Sequence, residues 1–171
     1  TTLIVALIGL NSMAVSTTIN AVLGDQSFIE KHGYRPNPAT DDNLRIRTHL
    51  EFIEANLRQV STENLSLKAR ANREELLDRL HDYWTANIFP NPSVAYEGRR
   101  PCFIDSDGNI CAVGYLIEMA SGREVAEHIN SKFKFEYLLE MNDPIIDGWA
   151  VEHGFSLDEL AQIQPTYDGW Y

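Results

Sequence analysis

No Asp, Glu, Lys, Arg or His occurs in the first 24 residues of this 171-residue chain. Basic residues are scarce throughout: 14 Lys and Arg stand against 25 Asp and Glu, giving a formal net charge of −11 and a pI near 4.8. Phosphate backbones and anionic headgroups are bound through clustered Lys and Arg, so this balance argues against nucleic acid and against a basic membrane-docking face. Cysteine is limited to Cys102 and Cys111, with no Cys-x-x-Cys and no His-Glu-x-x-His, so the dense ligand spacing of a zinc site is missing. A Gly-x-Ser-x-Gly elbow and a phosphate-cradling glycine motif are also missing, along with any internal repeat or low-complexity tract. The sequence therefore implies no cofactor and no metal, and it leaves catalytic residues unknown.

The uncharged leader decides location before chemistry. Leu3-Ile4-Val5-Ala6-Leu7-Ile8-Gly9-Leu10 opens it, and Met13, Val15, Ile19, Ala21, Val22 and Leu23 continue it. As a helix, Leu3 to Leu23 would span about 30 Å, the thickness of a bilayer's hydrocarbon core. Asn11, Ser12, Ser16, Thr17, Thr18 and Asn20 would each need a partner there, which a membrane-embedded protein contact supplies. Leu3 to Leu10 also fits a signal-peptide core with Ser12-Met13-Ala14 as its cleavage site, although no basic n-region precedes it. A helix buried in a water-soluble core is the third reading. The expected organisation is an apolar anchor or signal-like helix over 1–24, a connector over 25–42 and an α-rich extracytoplasmic domain over 43–171.

From Asp25 onward about 150 residues remain, enough for one domain that buries roughly two-thirds of its unfolded surface. Gly33, Pro36, Asn37 and Pro38 mark the connector, and Thr40 or Asp41 caps the helix after it. Ile46, Leu50, Ile53, Leu57 and Val60 recur at helical spacing. After a polar turn at Ser61 to Ser66, Leu76, Leu77, Leu80, Tyr83 and Trp84 give a second stripe, and Pro90 and Pro92 lie beyond its end. Cys102-Phe103-Ile104 and Ile110-Cys111-Ala112-Val113 flank Asp105-Ser106-Asp107-Gly108-Asn109, which predicts a hairpin. A short helix from about Gly114 to Ala120 follows, then one with Val125, Ile129 and Phe133 on one side. Asp143-Pro144 starts another helix, with Ile145, Ile146, Trp149 and Ala150 facing inward and Gly154 closing it. Ser156-Leu157-Asp158-Glu159 is a capping box for a last helix that Pro165 stops. The fold class is mainly α: a single helical domain with one small β-hairpin, preceded by the apolar N-terminal helix.

Candidate chemistry is thin. In the exported compartment that the leader implies, a Cys102–Cys111 disulfide is the default state of the two thiols. Geometry makes it conditional, because a diagonal register holds the Cα atoms roughly 7–8 Å apart and a one-residue shift puts the cysteines on opposite faces. Two buried thiols are the alternative. Asp105-x-Asp107-Gly108-Asn109 lacks both the first carboxylate and the closing Glu of a calcium loop, which leaves a solvated hairpin tip. His32, His49, His81, His128 and His153 are scattered; Asp78 with His81, and Glu124 with His128, read as helix-surface pairs rather than metal ligands. Arg99-Arg100 is the one basic spot, set to pair with acidic neighbours or to hold an anion. Tyr167, Trp170 and Tyr171 at the aromatic C-terminus suit contact with a partner, because chain ends fray and Trp and Tyr anchor interfaces.

Phe103-Ile104-Asp105-x-x-Gly108-x-x-Cys111-Ala112-Val113-Gly114-Tyr115-Leu116, with Ile163-Gln164-Pro165-Thr166-Tyr167 near the end, resembles an uncharacterised family of exported bacterial proteins. The resemblance spans roughly Gly24 to Tyr167. It implies an extracytoplasmic place and carries over no activity and no catalytic residue. The expectation for function is a non-catalytic accessory or interaction subunit of a membrane protein assembly, which meets membrane subunits through the N-terminal helix and the aromatic C-terminus. An exported hydrolase with a fold-assembled Cys, His and carboxylate site is the alternative.

Overall fold

Side-chain caps set most of the helix starts in the computed structural model, which describes residues 17–93 and 97–169. Gln26–His32 forms a short helix, α1. Asp41 accepts a hydrogen bond from the Leu44 N–H at 2.7 Å and opens α2 over Asp42–Leu57. Ser66 does the same for Ala69 at the start of α3, Leu67–Ala86. The Cys111 thiol caps α4 (Ala112–Ser121), which Gly122 separates from α5 (Arg123–Phe133). Asp143 caps α6 (Pro144–Glu152), with Pro144 as its first residue. The Ser156–Glu159 capping box is complete in both directions at α7, Leu157–Ile163. A 3₁₀ turn occupies Leu138–Glu140. Two two-residue strands, β1 (Arg99–Arg100) and β2 (Tyr167–Asp168), pair antiparallel with Arg99 opposite Asp168 and Arg100 opposite Tyr167.

α2 and α3 form an antiparallel pair, and α4 packs between α3 and α5. Ile46, Leu50 and Ile53 from α2 meet Leu76, Leu77 and Leu80 from α3, Leu116 and Ile117 from α4, and Leu160 and Ile163 from α7 in one core. Each such aliphatic side chain stabilises the fold by roughly 1.5–3 kcal/mol relative to exposure. Gly154 closes α6 at φ +72, where a Cβ would lie 2.7 Å from the Ala69 carbonyl oxygen. Only glycine lets α6 approach α3 this closely.

Several expectations are corrected. The mainly helical class holds, but the extended pairing lies elsewhere. Between Cys102 and Val113 there is one isolated bridge, Ile104 to Ile110, and Ala112 already belongs to α4. The paired strands come instead from residues 99–100 and 167–168. α1 forms inside the stretch read as a connector, because Gly33 and the prolines act only after it. Val60 and Ile145, read as buried, are 46% and 42% exposed; Val60 lies past the end of α2 and Ile145 sits off the inward stripe of α6.

The apolar leader reaches the described part of the chain at Thr17, and there it is not helical. Ile19 is buried, and its carbonyl accepts from the Thr166 N–H at 2.8 Å. The Asn20 amide donates to the carbonyls of Ala161, Gln162 and Gln164 at 2.9, 3.1 and 2.9 Å, and its oxygen accepts from the Val22 and Leu23 N–H groups. Residues 17–24 are thus a strap stitched onto α7. Asn20 finds its partners within the domain rather than in an anchor helix. Of the helix expected over residues 1–24, residues 1–16 lie outside the described residues. No helix among the described residues is long and apolar enough to cross a membrane.

Candidate functional site

Asp105 organises the turn that the sequence singled out. Its carboxylate accepts from the backbone N–H groups of Asn91, Asp107 and Asn109 and from the Asn109 side chain, all at 2.9 Å. Partial burial works to raise this carboxyl, but the four donors outweigh it and hold it below the ordinary carboxylate range. Gly108 completes the turn at φ +86. Asp105 is therefore committed to holding backbone, as a solvated tip alone would not require.

The turn fixes the register around the two cysteines. Ile104 bridges Ile110, and the Cys111 N–H donates to the Phe103 carbonyl at 2.8 Å. Cys111 therefore faces Phe103 rather than Cys102. Both cysteines are buried free thiols, so the expected cross-link is not formed in this structure. The Cys111 Sγ instead accepts from the Gly114 N–H at 3.3 Å. Burial pushes the Cys111 thiol up to about 12 and the Cys102 thiol up to about 11. Neither is a thiolate at neutral pH, so neither is prepared as a nucleophile.

Tyr167, read as a partner contact, is corrected too: it is 1% exposed, held inside by β2 and by the chain on either side. Burial raises it and Tyr83 well above the ordinary phenol value. Trp170 and Tyr171 lie outside the described residues. Arg99 takes the first of its two expected roles. Its guanidinium, almost wholly enclosed, meets Asp42 at 2.6 Å and Asp168 at 3.1 Å and donates twice to Thr166.

Two histidines acquire partners that the sequence could not show. His49 is fully buried; its Nε2 donates to the Gln162 carbonyl at 2.8 Å, leaving Nδ1 to accept from Ser27 Oγ at 3.4 Å. Burial pulls its pKa down to about 4, against the raising effects of the Gln162 carbonyl and of Asp25. The Ser27 end of this pair borders a cavity of about 290 Å³ between α1 and α2. His81 is more exposed, with Nδ1 3.0 Å from Glu54. Burial works to raise Glu54, but hydrogen bonds from Trp84 Nε1 at 2.6 Å, Arg58 Nε at 2.8 Å and His81 prevail and hold it low. Asp78, the expected partner of His81, pairs with Arg58 instead.

A cleft opens at the C-terminal end of α3. Tyr83, Ile110 and Tyr115 form its floor, with the two tyrosine rings 5.1 Å apart between centroids. Tyr83 is locked by donating its hydroxyl proton to the Ile110 carbonyl at 2.8 Å. Ile88 stands at the rim, 63% exposed, opposite Gly108, Glu118 and Arg123. The cleft encloses about 290 Å³. No sequence signal marked it, because α3, the turn, α4 and α5 each contribute only one to three residues.

No family model, no curated protein and no solved structure matches the chain.

Proposed function

We propose that this chain is a non-catalytic interaction subunit of a membrane protein assembly and exposes its acidic helical domain outside the cytoplasm. The observation that carries the reading is the position of the reactive groups. Cys102, Cys111 and His49 lie within the core, with the thiols kept protonated and the imidazole kept neutral, out of reach of a substrate. The buried guanidiniums are likewise spent on the fold: Arg73 on Glu159 at 2.8 Å, Arg45 on Asp25 at 2.9 Å and Arg99 on Asp42. What remains outward is a surface with a surplus of carboxylates, suited to recognition. The uncharged leader and the resemblance to exported proteins support the extracytoplasmic place.

Purification in mild detergent without crosslinking tests the proposal. Co-purification with stoichiometric membrane subunits is the expected result. Recovery as a lone, water-soluble monomer with its leader removed would end it. A second reading, an exported hydrolase, draws on the Glu54–His81 pair, in which a carboxylate orients a solvent-facing imidazole as in a general base. If His81→Gln leaves every ester and amide hydrolysis rate at background, as in the wild type, that reading goes.

A further inference from the structure

We infer that the cleft at the end of α3 receives an apolar anchor side chain from a basic segment of the partner protein. The inference rests on the interaction-subunit reading and names the chemistry of the contact.

Shape comes first. About 290 Å³ falls at the lower edge of the ~300–1,000 Å³ typical of small-molecule sites, and it suits one large side chain. The floor is two tyrosine rings and Ile110, and Ile88 extends the apolar wall into solvent. Interface energy concentrates where an aromatic or aliphatic anchor fills such a pocket inside a polar rim.

Preorganisation comes second. Asp105 clamps the turn with four hydrogen bonds, Tyr83 is pinned to Ile110, and Arg123 spans from α5 to the Gly108 carbonyl at 3.4 Å. A rim fixed before contact loses little freedom on binding.

Charge selects the partner. Arg123 is already engaged by Glu118 at 3.0 Å and Glu127 at 3.1 Å. Arg79 lies between Glu75 at 3.7 Å and Asp82 at 3.6 Å. Of the charged residues that line the cleft, Asp82 and Glu118 are acidic and Arg123 is basic, in a chain whose net charge is −11. An incoming Lys or Arg beside the anchor completes this balance, whereas an acidic segment is repelled.

The test is a nitrogen-15 NMR titration of the full chain in mild detergent with three capped pentapeptides. Their central sequences are Lys-Phe-Lys, Glu-Phe-Glu and Lys-Ala-Lys. The basic aromatic peptide is expected to give saturable shifts at the Gly108, Asn109, Glu118 and Arg123 amides, at least tenfold tighter than the other two and weakening with salt. Ile88→Ser, at an exposed position, is expected to weaken it at least fivefold without altering the rest of the spectrum. Absence of saturable shifts, equal binding of the acidic peptide, or an unchanged affinity in Ile88→Ser would each overturn the inference. Native co-purification separates the two proposals. If Ile88→Ser still co-purifies fully with the membrane subunits, the cleft assignment fails and the interaction-subunit reading stands. If the wild-type chain does not co-purify, that reading fails, and the inferred partner contact fails with it.

Discussion

Acidification will force a proton onto a ring that the fold keeps neutral. His49 has an ordinary value of 6.5 and a folded value of about 4, with burial as the main cause. A group whose folded value is depressed favours the folded state fully above its unfolded value and loses that contribution as pH falls toward the folded one. The window is therefore pH 6.5 down to about 4, with stability flat above it. At ~1.36 kcal/mol for each tenfold change in proton affinity, His49 should cost the fold about 2 kcal/mol at pH 5 and about 3 kcal/mol at pH 4. Other groups also respond to acid: Glu54, Asp105 and Glu159 sit below their ordinary values and lose stability at lower pH. A neutral isostere removes their contribution from the comparison. In His49→Gln the amide can donate to the Gln162 carbonyl and accept from Ser27 without titrating. Urea unfolding of both proteins at pH 7, 5 and 4 should show the wild type losing about 3 kcal/mol more than His49→Gln by pH 4. Parallel stability curves would refute the argument from burial.

Four further outcomes follow from the packing. Gly154→Ala should lower stability by roughly 2 kcal/mol or more in thermal melts, because it combines a left-handed φ with a Cβ against the Ala69 carbonyl; unchanged melting would contradict the close approach. Glu159→Gln keeps an acceptor for the Ser156 N–H but leaves the enclosed Arg73 guanidinium without its counter-charge, so about 3 kcal/mol should be lost by urea titration. Asn20→Ala takes a donor from the Ala161 and Gln164 carbonyls and an acceptor from the Val22 and Leu23 N–H groups, while the Gln162 carbonyl keeps its bond from His49, and it should destabilise by at least about 2 kcal/mol. Ellman's reagent should find no reactive thiol in the reduced native protein and two after denaturation, since both cysteines are buried and protonated. Prompt native reaction would contradict the burial of the two thiols.

Helix starts were legible because their signals are local. Asp41, Asp143 and the Ser156–Glu159 box each act within three residues, and the stripe Ile46, Leu50, Ile53, Leu57 repeats within one helix. The strands were not legible: a two-residue strand has no alternation to read, and the partner of Arg100 is 67 positions away in Tyr167. α1, at seven residues, is too short to show a period, and the bias of terminal aromatics toward fraying hid the burial of Tyr167. The site was less readable still. Glu54 with His81 and Trp84, and His49 with Ser27 and Gln162, are assembled from separate helices and loops. For the cysteines, spacing left the register open by one residue, and the structure sets Cys111 opposite Phe103 with both thiols free.

The strap has a mechanical consequence. Any pull on the chain preceding Thr17 enters the domain at residues 17–24, whose bonds run to Arg45 of α2 and to Ala161, Gln162, Gln164 and Thr166. Such a load would be shared by the Thr17–Arg45 bond, the two bonds to Thr166 and the Asn20 amide, and passed to α2 and α7 before it reached α1. A domain tethered this way should yield in one step when that seam breaks, rather than peel helix by helix from its front.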